Sequence, residues 1–474
     1  MGMAVRLPAT TWSLPVAGFA GATVLVLATS GLPAPPVLLL TVGLTGMGVV
    51  VLAWLGLGRR AARMSVGDLY RTAAAWCLPM LFTRPLFSGD VHSYLAQGVI
   101  AATGLDPYRL GPAAALGASS PVTQQVSEYW QNTAAPYGPV WVAISRTIAR
   151  VAGTNLPVTL LLNRLVELVG VVLIAWALPR LARRMGVSPG IALWLGLLNP
   201  LVLWHVVGGA HNDGLMVGLV LAGMEIALGG LATPSRLVAG LALLTIAANI
   251  KIVAVAAICC LGAELARRSD RRAMVILGVL GGFAALSLAI AAVTGLGVGW
   301  VGTLGASAQL HSWLAPTNQL GFLIGGLGTL TGAHITSTAI SVTIQVGAVL
   351  GALAGAGLLW AIFRGRWHPL TGVGLVFALM LVTGPVVQPW YLLWAILPLA
   401  ASLRSDRARR PLVTVSAVAA MLLPPIGGGV PVLVAGYAGG AVLLAMMWRR
   451  LWPMAQDTDR REVPAPVAVL PRVA

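Results

Sequence analysis

Long apolar runs separated by short clusters of arginine recur from one end of this chain to the other, and no other feature restricts its possible folds as much. A run of roughly 20 apolar residues is the length that crosses the hydrocarbon core of a bilayer as a helix. With 58% hydrophobic and only 9% charged residues, the 474-residue chain has too little polar surface to coat a soluble globule around such segments. A transmembrane barrel would show alternating segments of about 10 residues instead. The expected fold is therefore all-α, a polytopic membrane protein.

The net charge of +17 does not point to nucleic acid, because of where the arginines lie. RRAAR (59–63), RLARR (180–184), RRSDRR (267–272), FRGR (363–366), RSDRARR (404–410) and WRRLW (448–452) all sit between or beside apolar runs. That is the positive-inside pattern, which orients a membrane protein. Cys77, Cys259 and Cys260 lie within apolar runs and offer neither a disulfide framework nor metal-ligand spacing. The first apolar run lacks a small-residue cleavage site and reads as a retained helix.

Taking arginine-rich loops as cytoplasmic predicts spans near 13–30, 37–57, 72–87, 157–179, 189–207, 212–230, 273–294, 338–363, 370–386, 388–402, 411–428 and 431–448. Residues 237–263 are basic at both flanks and polar in the middle, at Asn249-Ile250-Lys251, so both ends are expected in the cytoplasm. Each arm reaches only about 21 Å at 1.5 Å per residue, short of a core of about 30 Å. A pair of short helices or a re-entrant hairpin fits, raising Lys251 towards the outer half of the membrane. The count is then about 14 crossings, with both termini inside, and residues 1–450 form one domain. Long external segments are expected at 88–155 and 295–336, and a disordered cytoplasmic tail at 451–474. No strong internal repeat is evident.

This topology sorts the ionisable groups. Seven acidic residues fall in cytoplasmic loops or the tail, leaving Asp90, Asp106, Glu128, Glu167, Asp213 and Glu225. Ionisable groups in or beside membrane spans are costly and are functional candidates by default. Asp90 follows the apolar run 72–87; with Tyr94 and Gln97 it forms one polar helical face, predicting a helix along the outer membrane surface. Its carboxylate is either a helix cap or a chemical group, and spacing does not choose between them. Glu128 lies on a polar, aromatic stretch, VSEYWQN, of the kind whose ring faces stack on sugars. His211-Asn212-Asp213 opens a span, where Asp213 either caps the helix or positions a substrate. Arg164 and Glu167 are spaced to pair on one helix. Among cations, Arg84, Arg164 and Lys251 depart from the positive-inside pattern. Lys251 has no acidic neighbour in sequence, so its partner is either a phosphate or a water-filled cavity into which it snorkels.

Six motifs taken together, FSGDVHSYLAQG (87–98), GLDPY (104–108), APYGPVW (135–141), HND (211–213), NIK (249–251) and QPWYLLW (388–394), give the chain a family likeness. It resembles the actinobacterial polyprenol-phosphate-mannose-dependent α-1,6-mannosyltransferases of the MptA/MptB type, GT-C-class membrane glycosyltransferases, from about residue 70 to 450. A departure stands at His92, where tyrosine is expected. The resemblance implies a GT-C-like bundle in the plasma membrane with its active site on the outer, periplasmic face. It implies that Asp90 is the general base, acting on a mannose 6-hydroxyl that attacks the anomeric carbon of a β-linked polyprenyl-phosphate-mannose. Lys251, Arg164 and Arg84 are the candidates for binding the donor phosphate, and Tyr94, Glu128, His211, Asp213, Trp390 and Tyr391 for binding sugar or acceptor.

The acceptor implied is an α-1,6-mannan or a phosphatidylinositol-mannoside glycolipid, placing the enzyme in lipomannan and lipoarabinomannan backbone synthesis. No cofactor or metal is expected, because a phosphate leaving group can be stabilised by a protein cation. Besides the donor, the acceptor and membrane lipids, no partner is indicated. Two other readings stand beside this one: a transferase for another polyprenyl-phosphate sugar such as arabinofuranose, and a transporter or flippase of lipid-linked sugars.

Overall fold

The structure, a computed structural model, describes residues 13–305 and 312–460, with residues 448–460 described by backbone alone. All regular elements among the described residues are helical. The chain begins with α1 (Ser13–Thr29), α2 (Pro36–Gly58) and α3 (Val66–Met80). The segment that follows carries α4 (Asp90–Ala102), three short turns of helix, α5 (Pro112–Leu116), α6 (Pro121–Gln125) and α7 (Glu128–Gln131), and then α8 (Pro139–Ala152). Next come α9 (Leu156–Arg184), α10 (Pro189–Leu195), α11 (Asp213–Leu228), α12 (Pro234–Ala248), α13 (Val255–Arg267) and α14 (Arg272–Thr294). The last part holds α15 (Pro316–Leu330), α16 (Thr336–Phe363), α17 (Pro369–Thr383), α18 (Leu392–Ser402), α19 (Asp406–Leu422) and α20 (Val430–Arg460).

Among the described residues, five helices are long and apolar enough to cross a membrane: α2, α9, α14, α16 and Val430–Met447 of α20. Shorter apolar helices accompany them at Ser13–Thr29, Pro234–Ala248, Pro369–Thr383 and Pro389–Ser402. This is a helical membrane protein, although the roughly 14 crossings expected from the sequence outnumber these helices. Helices α14 and α16 bury almost none of their apolar surface, leaving side chains such as Leu277 and Leu353 exposed, as lipid contact permits.

The core is centred on α11, whose residues from Asp213 to Met224 are all buried. Small residues let its neighbour approach: a Cβ added to Gly170 of α9 would lie 2.5 Å from the main chain of Gly214, and one on Gly218 would lie 2.6 Å from the Gly170 carbonyl. Such small-residue seams suit helices packed in lipid. Near α10, Trp54 and Trp194 stack at 5.3 Å and each donates its indole N–H to the other's carbonyl, so that two buried donors are satisfied together.

Several boundaries differ from those expected. The span near 72–87 is instead α3, which starts at Val66 and ends at Met80, just past Pro79. The span near 189–207 is broken: α10 stops at Leu195, Asn199-Pro200 interrupts the ladder, and a π-helical segment runs from Val202 to Gly208. The second expected external segment, 295–336, contains the apolar helix α15, packed on α16. At the C-terminus α20 continues to Arg460, into the segment expected to be an irregular tail, while 461–474 lie outside the described residues. In the 237–263 hairpin, α12 and α13 meet at Asn249–Lys251 and a 3-10 turn, Ile252–Ala254.

Candidate functional site

The turn of that hairpin meets the 88–155 segment main chain to main chain. Gly138 donates its N–H to the Ile250 carbonyl at 3.1 Å, and Val140 donates to Asn249 at 3.0 Å. A Cβ on Gly138 would lie 2.2 Å from the Asn249 carbonyl oxygen, so only glycine fits this joint. The joint brings Tyr137 within 6.0 Å of the Lys251 ammonium.

Beside it opens a cavity of about 920 Å3. Its walls include Asp90, Tyr137, Lys251, Trp390, Tyr391 and Trp394, so residues from four separate stretches of sequence converge on one space. Of the residues singled out from the sequence, Asp90, Lys251, Trp390 and Tyr391 line it directly.

Asp90 opens α4, but its carboxylate makes no capping hydrogen bond; Gly89 occupies the cap position, and the Ser88 hydroxyl instead accepts the Asp90 N–H at 3.1 Å. The carboxylate is therefore turned away from helix duty. Its Oδ2 lies 3.3 Å from Nδ1 of His211, and a quarter of its side chain remains exposed. Burial pushes the carboxyl up, but the His211 contact and charge, the Ser88 hydroxyl and Lys251 together outweigh this and hold it below its ordinary value. Helix α4 forms where the sequence predicts it. Its polar face is buried, with Tyr94 at 1% and Gln97 at 5% exposure, against α8 and α9. Tyr94 packs edge-on to Tyr137 at 5.4 Å and Trp141 at 4.9 Å, and burial pushes its phenol well above the ordinary range.

Lys251 is not without an acidic partner, as the sequence suggested. Its ammonium donates to both carboxylate oxygens of Asp213, at 2.8 and 2.9 Å, across 38 residues of sequence. Asp213 also accepts the Trp394 indole N–H at 2.6 Å, and it does not cap α11. The ammonium lies 4.4 Å from the Tyr391 ring and 5.3 Å from that of Trp394, rings which stack on each other at 4.2 Å. Lys251 is thus held in an aromatic and carboxylate cage with one side towards the cavity.

The remaining candidates sit behind the walls or away from them. His211 is fully buried and stacks on Trp390 at 3.8 Å, with the two planes 20° apart. Asp213 is buried and bonded to Lys251 and Trp394, both of which line the cavity. Glu128 is exposed at the start of α7 and does not line the cavity, whereas its neighbours Ser127, Tyr129 and Trp130 do. Arg164 does not pair with Glu167. Its guanidinium donates to the carbonyls of Val207, Leu81, Arg84 and Gly208, and Glu167 accepts the Leu215 N–H. Arg84 is exposed beside Gly31, outside the cavity.

Tyr137, Gln388 and Trp394 were not singled out from the sequence, although all three lie within the motifs APYGPVW and QPWYLLW. In the second expected external segment, residues 306–311 lie outside the described residues, while Ser312 and Trp313 reach the cavity. Among the described residues, no group of three or more His, Cys, Asp or Glu side chains is placed to hold a metal ion.

Comparison with known proteins agrees over nearly the whole chain. Residues 8–267 match the family model described as alpha-(1->6)-mannopyranosyltransferase, N-terminal domain, and residues 317–451 match the MptB C-terminal domain. A probable alpha-(1->6)-mannopyranosyltransferase of Mycolicibacterium smegmatis is 38% identical over 90% of this chain and 84% of its own. An alpha-(1->6)-mannopyranosyltransferase of Mycobacterium tuberculosis is 38% identical over 82% of this chain and 74% of its own. Alpha-(1->6)-mannopyranosyltransferase A from the same organism is 35% identical over 80% and 73% respectively. No solved structure matches.

Proposed function

The chain belongs to the alpha-(1->6)-mannopyranosyltransferase family and is a mannosyltransferase, and from that premise we propose a donor, an acceptor and a chemistry for it. The donor is polyprenyl-phosphate-mannose, and the acceptor is the 6-hydroxyl of an α-1,6-mannan or a phosphatidylinositol mannoside. The reaction takes place on the outer face of the plasma membrane, in building the lipomannan and lipoarabinomannan backbone. The observation that carries this reading is the cavity shared by Asp90, free of capping, and the caged ammonium of Lys251.

In the reaction, the acceptor oxygen attacks the anomeric carbon from the face opposite the phosphate. Asp90 removes the hydroxyl proton as the new C–O bond forms, which is general-base catalysis worth about 10²–10⁴-fold. The bond from the anomeric carbon to the phosphate oxygen breaks, polyprenyl phosphate leaves with the electron pair, and a β-linked donor yields an α-linked product. Lys251 stabilises the charge that develops on the departing phosphate. The Lys251–Asp213 pair is neutral overall, so Lys251 offers a directed N–H more than a net positive charge. Arg164, with its donors given to four carbonyls, holds the scaffold in this scheme. Trp390 and Tyr391 supply ring faces for sugar or lipid. No step calls for a metal.

The test is transfer by purified protein from polyprenyl-phosphate-mannose to a short α-1,6-mannoside, comparing wild type with Asp90→Asn, with and without a chelator. Wild-type transfer that ignores the chelator and a folded Asp90→Asn that is nearly inactive are the expected results. An active Asp90→Asn removes Asp90 from the chemistry, and an inactive wild type removes this donor.

A further inference from the structure

His211 was expected to touch sugar, yet none of its surface is exposed and it is not part of the cavity wall. It stands instead between two residues that are. Its Nδ1 faces Asp90 Oδ2 at 3.3 Å, and its ring lies flat on Trp390 with centroids 3.8 Å apart. Neither ring nitrogen makes a hydrogen bond of regular geometry among the described residues, Nδ1 towards Asp90 included. A buried imidazole with no other polar contact has one use for its Nδ1–H, and that is the carboxylate in front of it. The contact is long and poorly aligned for an N–H···O bond, as catalytic hydrogen bonds often are before substrate arrives.

The backbone is arranged for this meeting. Phe87 and Ala210 are the two non-glycine residues with positive φ among those described, at 65° and 55°. One precedes Ser88-Gly89-Asp90 and the other immediately precedes His211. A left-handed backbone is strained for a residue that carries a side chain. Two such residues flanking one pair indicate that the surrounding structure enforces the pair's placement.

We propose that His211 is the positioning residue of Asp90: clamped on Trp390, it donates Nδ1–H to Oδ2 and leaves Oδ1 to face the acceptor hydroxyl. The inference rests on the reading of Asp90 as the base. The groups around the carboxylate are Ser88, His211, Lys251, Tyr94, Tyr137 and Tyr391. Of those that lower the Asp90 carboxyl, His211 is the strongest, acting against burial. Removing it leaves burial opposed only by Ser88 and Lys251, so the carboxyl rises. The acid limb of the rate profile must then move to higher pH.

The experiment compares wild type with His211→Phe, which keeps a ring on Trp390 but no donor, and His211→Gln, which keeps a donor. Transfer is measured against pH at saturating donor and acceptor, and folding is checked by thermal unfolding in detergent. For His211→Phe, kcat is expected to fall about 100-fold, as misplaced catalytic groups cost, with the acid limb displaced upward and both KM values kept. His211→Gln should recover about tenfold of that loss and part of the displacement. If His211→Phe fails to fold, an upward acid limb in His211→Gln alone carries the same information. An unmoved acid limb in either folded variant, or a change confined to the acceptor KM, overturns the proposal. The parent reading fails separately, through an active Asp90→Asn.

Discussion

Lys251 and Asp213, on separate segments 38 residues apart, are joined through both carboxylate oxygens, and the Trp394 indole closes the same carboxylate from a third segment. Breaking such a buried pair from one side strands a charge at a cost of about 3–5 kcal/mol, whereas removing both partners can be nearly neutral. Lys251→Met is therefore expected to lower the unfolding temperature markedly and to reduce transfer about 100-fold or more. The double variant Lys251→Met with Asp213→Asn should regain most of the stability and none of the transfer. Recovery of transfer in the double variant would mean that Lys251 serves the fold alone.

Gly138 predicts a sharp local effect. A methyl group there collides with a carbonyl oxygen, Asn249 O, in a main-chain contact that no side-chain rotation relieves. Gly138→Ala should cut transfer at least tenfold, on the scale of a misplaced catalytic group. Gly302→Ala, which meets nothing within 4 Å, should leave transfer at the wild-type level. Equal activity in the two variants would dissociate the joint from the site.

Arg164 is expected to matter for stability before activity. Arg164→Leu leaves the Val207, Leu81, Arg84 and Gly208 carbonyls without their donor, and each unpaired buried group costs about 1–3 kcal/mol. Thermal unfolding in detergent should show a large drop, with Arg164→Lys intermediate, while surviving protein keeps the wild-type KM for donor. A raised donor KM without loss of stability would instead assign Arg164 to the phosphate.

The cavity rim makes a prediction about acceptor length. Tyr129 and Trp313 line the cavity yet are 74% and 54% exposed, as ring faces awaiting a sugar would be. Tyr129→Ala and Trp313→Ala should raise KM for a mannotrioside about tenfold, the scale of one lost aromatic contact, while transfer to a single mannoside is unchanged. A uniform loss with every acceptor, or a loss that follows the donor, would place these rings against lipid.

Much of this was legible in the sequence. Asp90 stood out as a lone carboxylate beside apolar residues, and Lys251 as a lysine inside a hairpin too short to span. What escaped reading was pairing at a distance. Asp213 opens α11 whereas Lys251 lies in the turn between α12 and α13, and no periodicity links them. Tyr94 and Gln97 gave α4 a polar face that suggested water or a membrane surface, but α8 and α9 cover it. Helix α15 begins with Pro316 at its first turn, a start signal. The arginine pattern places the surrounding segment outside the membrane and carries no sign of this helix. The break between α10 and the π-helical Val202–Gly208 was flagged only by Asn199-Pro200, inside an otherwise continuous apolar run.

The order in which the cavity wall and the residues behind it are written along the chain has a consequence for biosynthesis. Asp90, Asp213 and Lys251 all precede residue 267, whereas Trp390, Tyr391 and Trp394 come much later, in the part matched as a separate C-terminal region. While the ribosome is still making α14 to α17, the charged pair stands without the indole that completes Asp213 and His211 without the ring on which it rests. At synthesis rates of about 5–20 residues per second, that interval lasts on the order of ten seconds. The nascent protein thus spends its insertion with an unfinished compartment, and the arrival of α18 is the event that closes it.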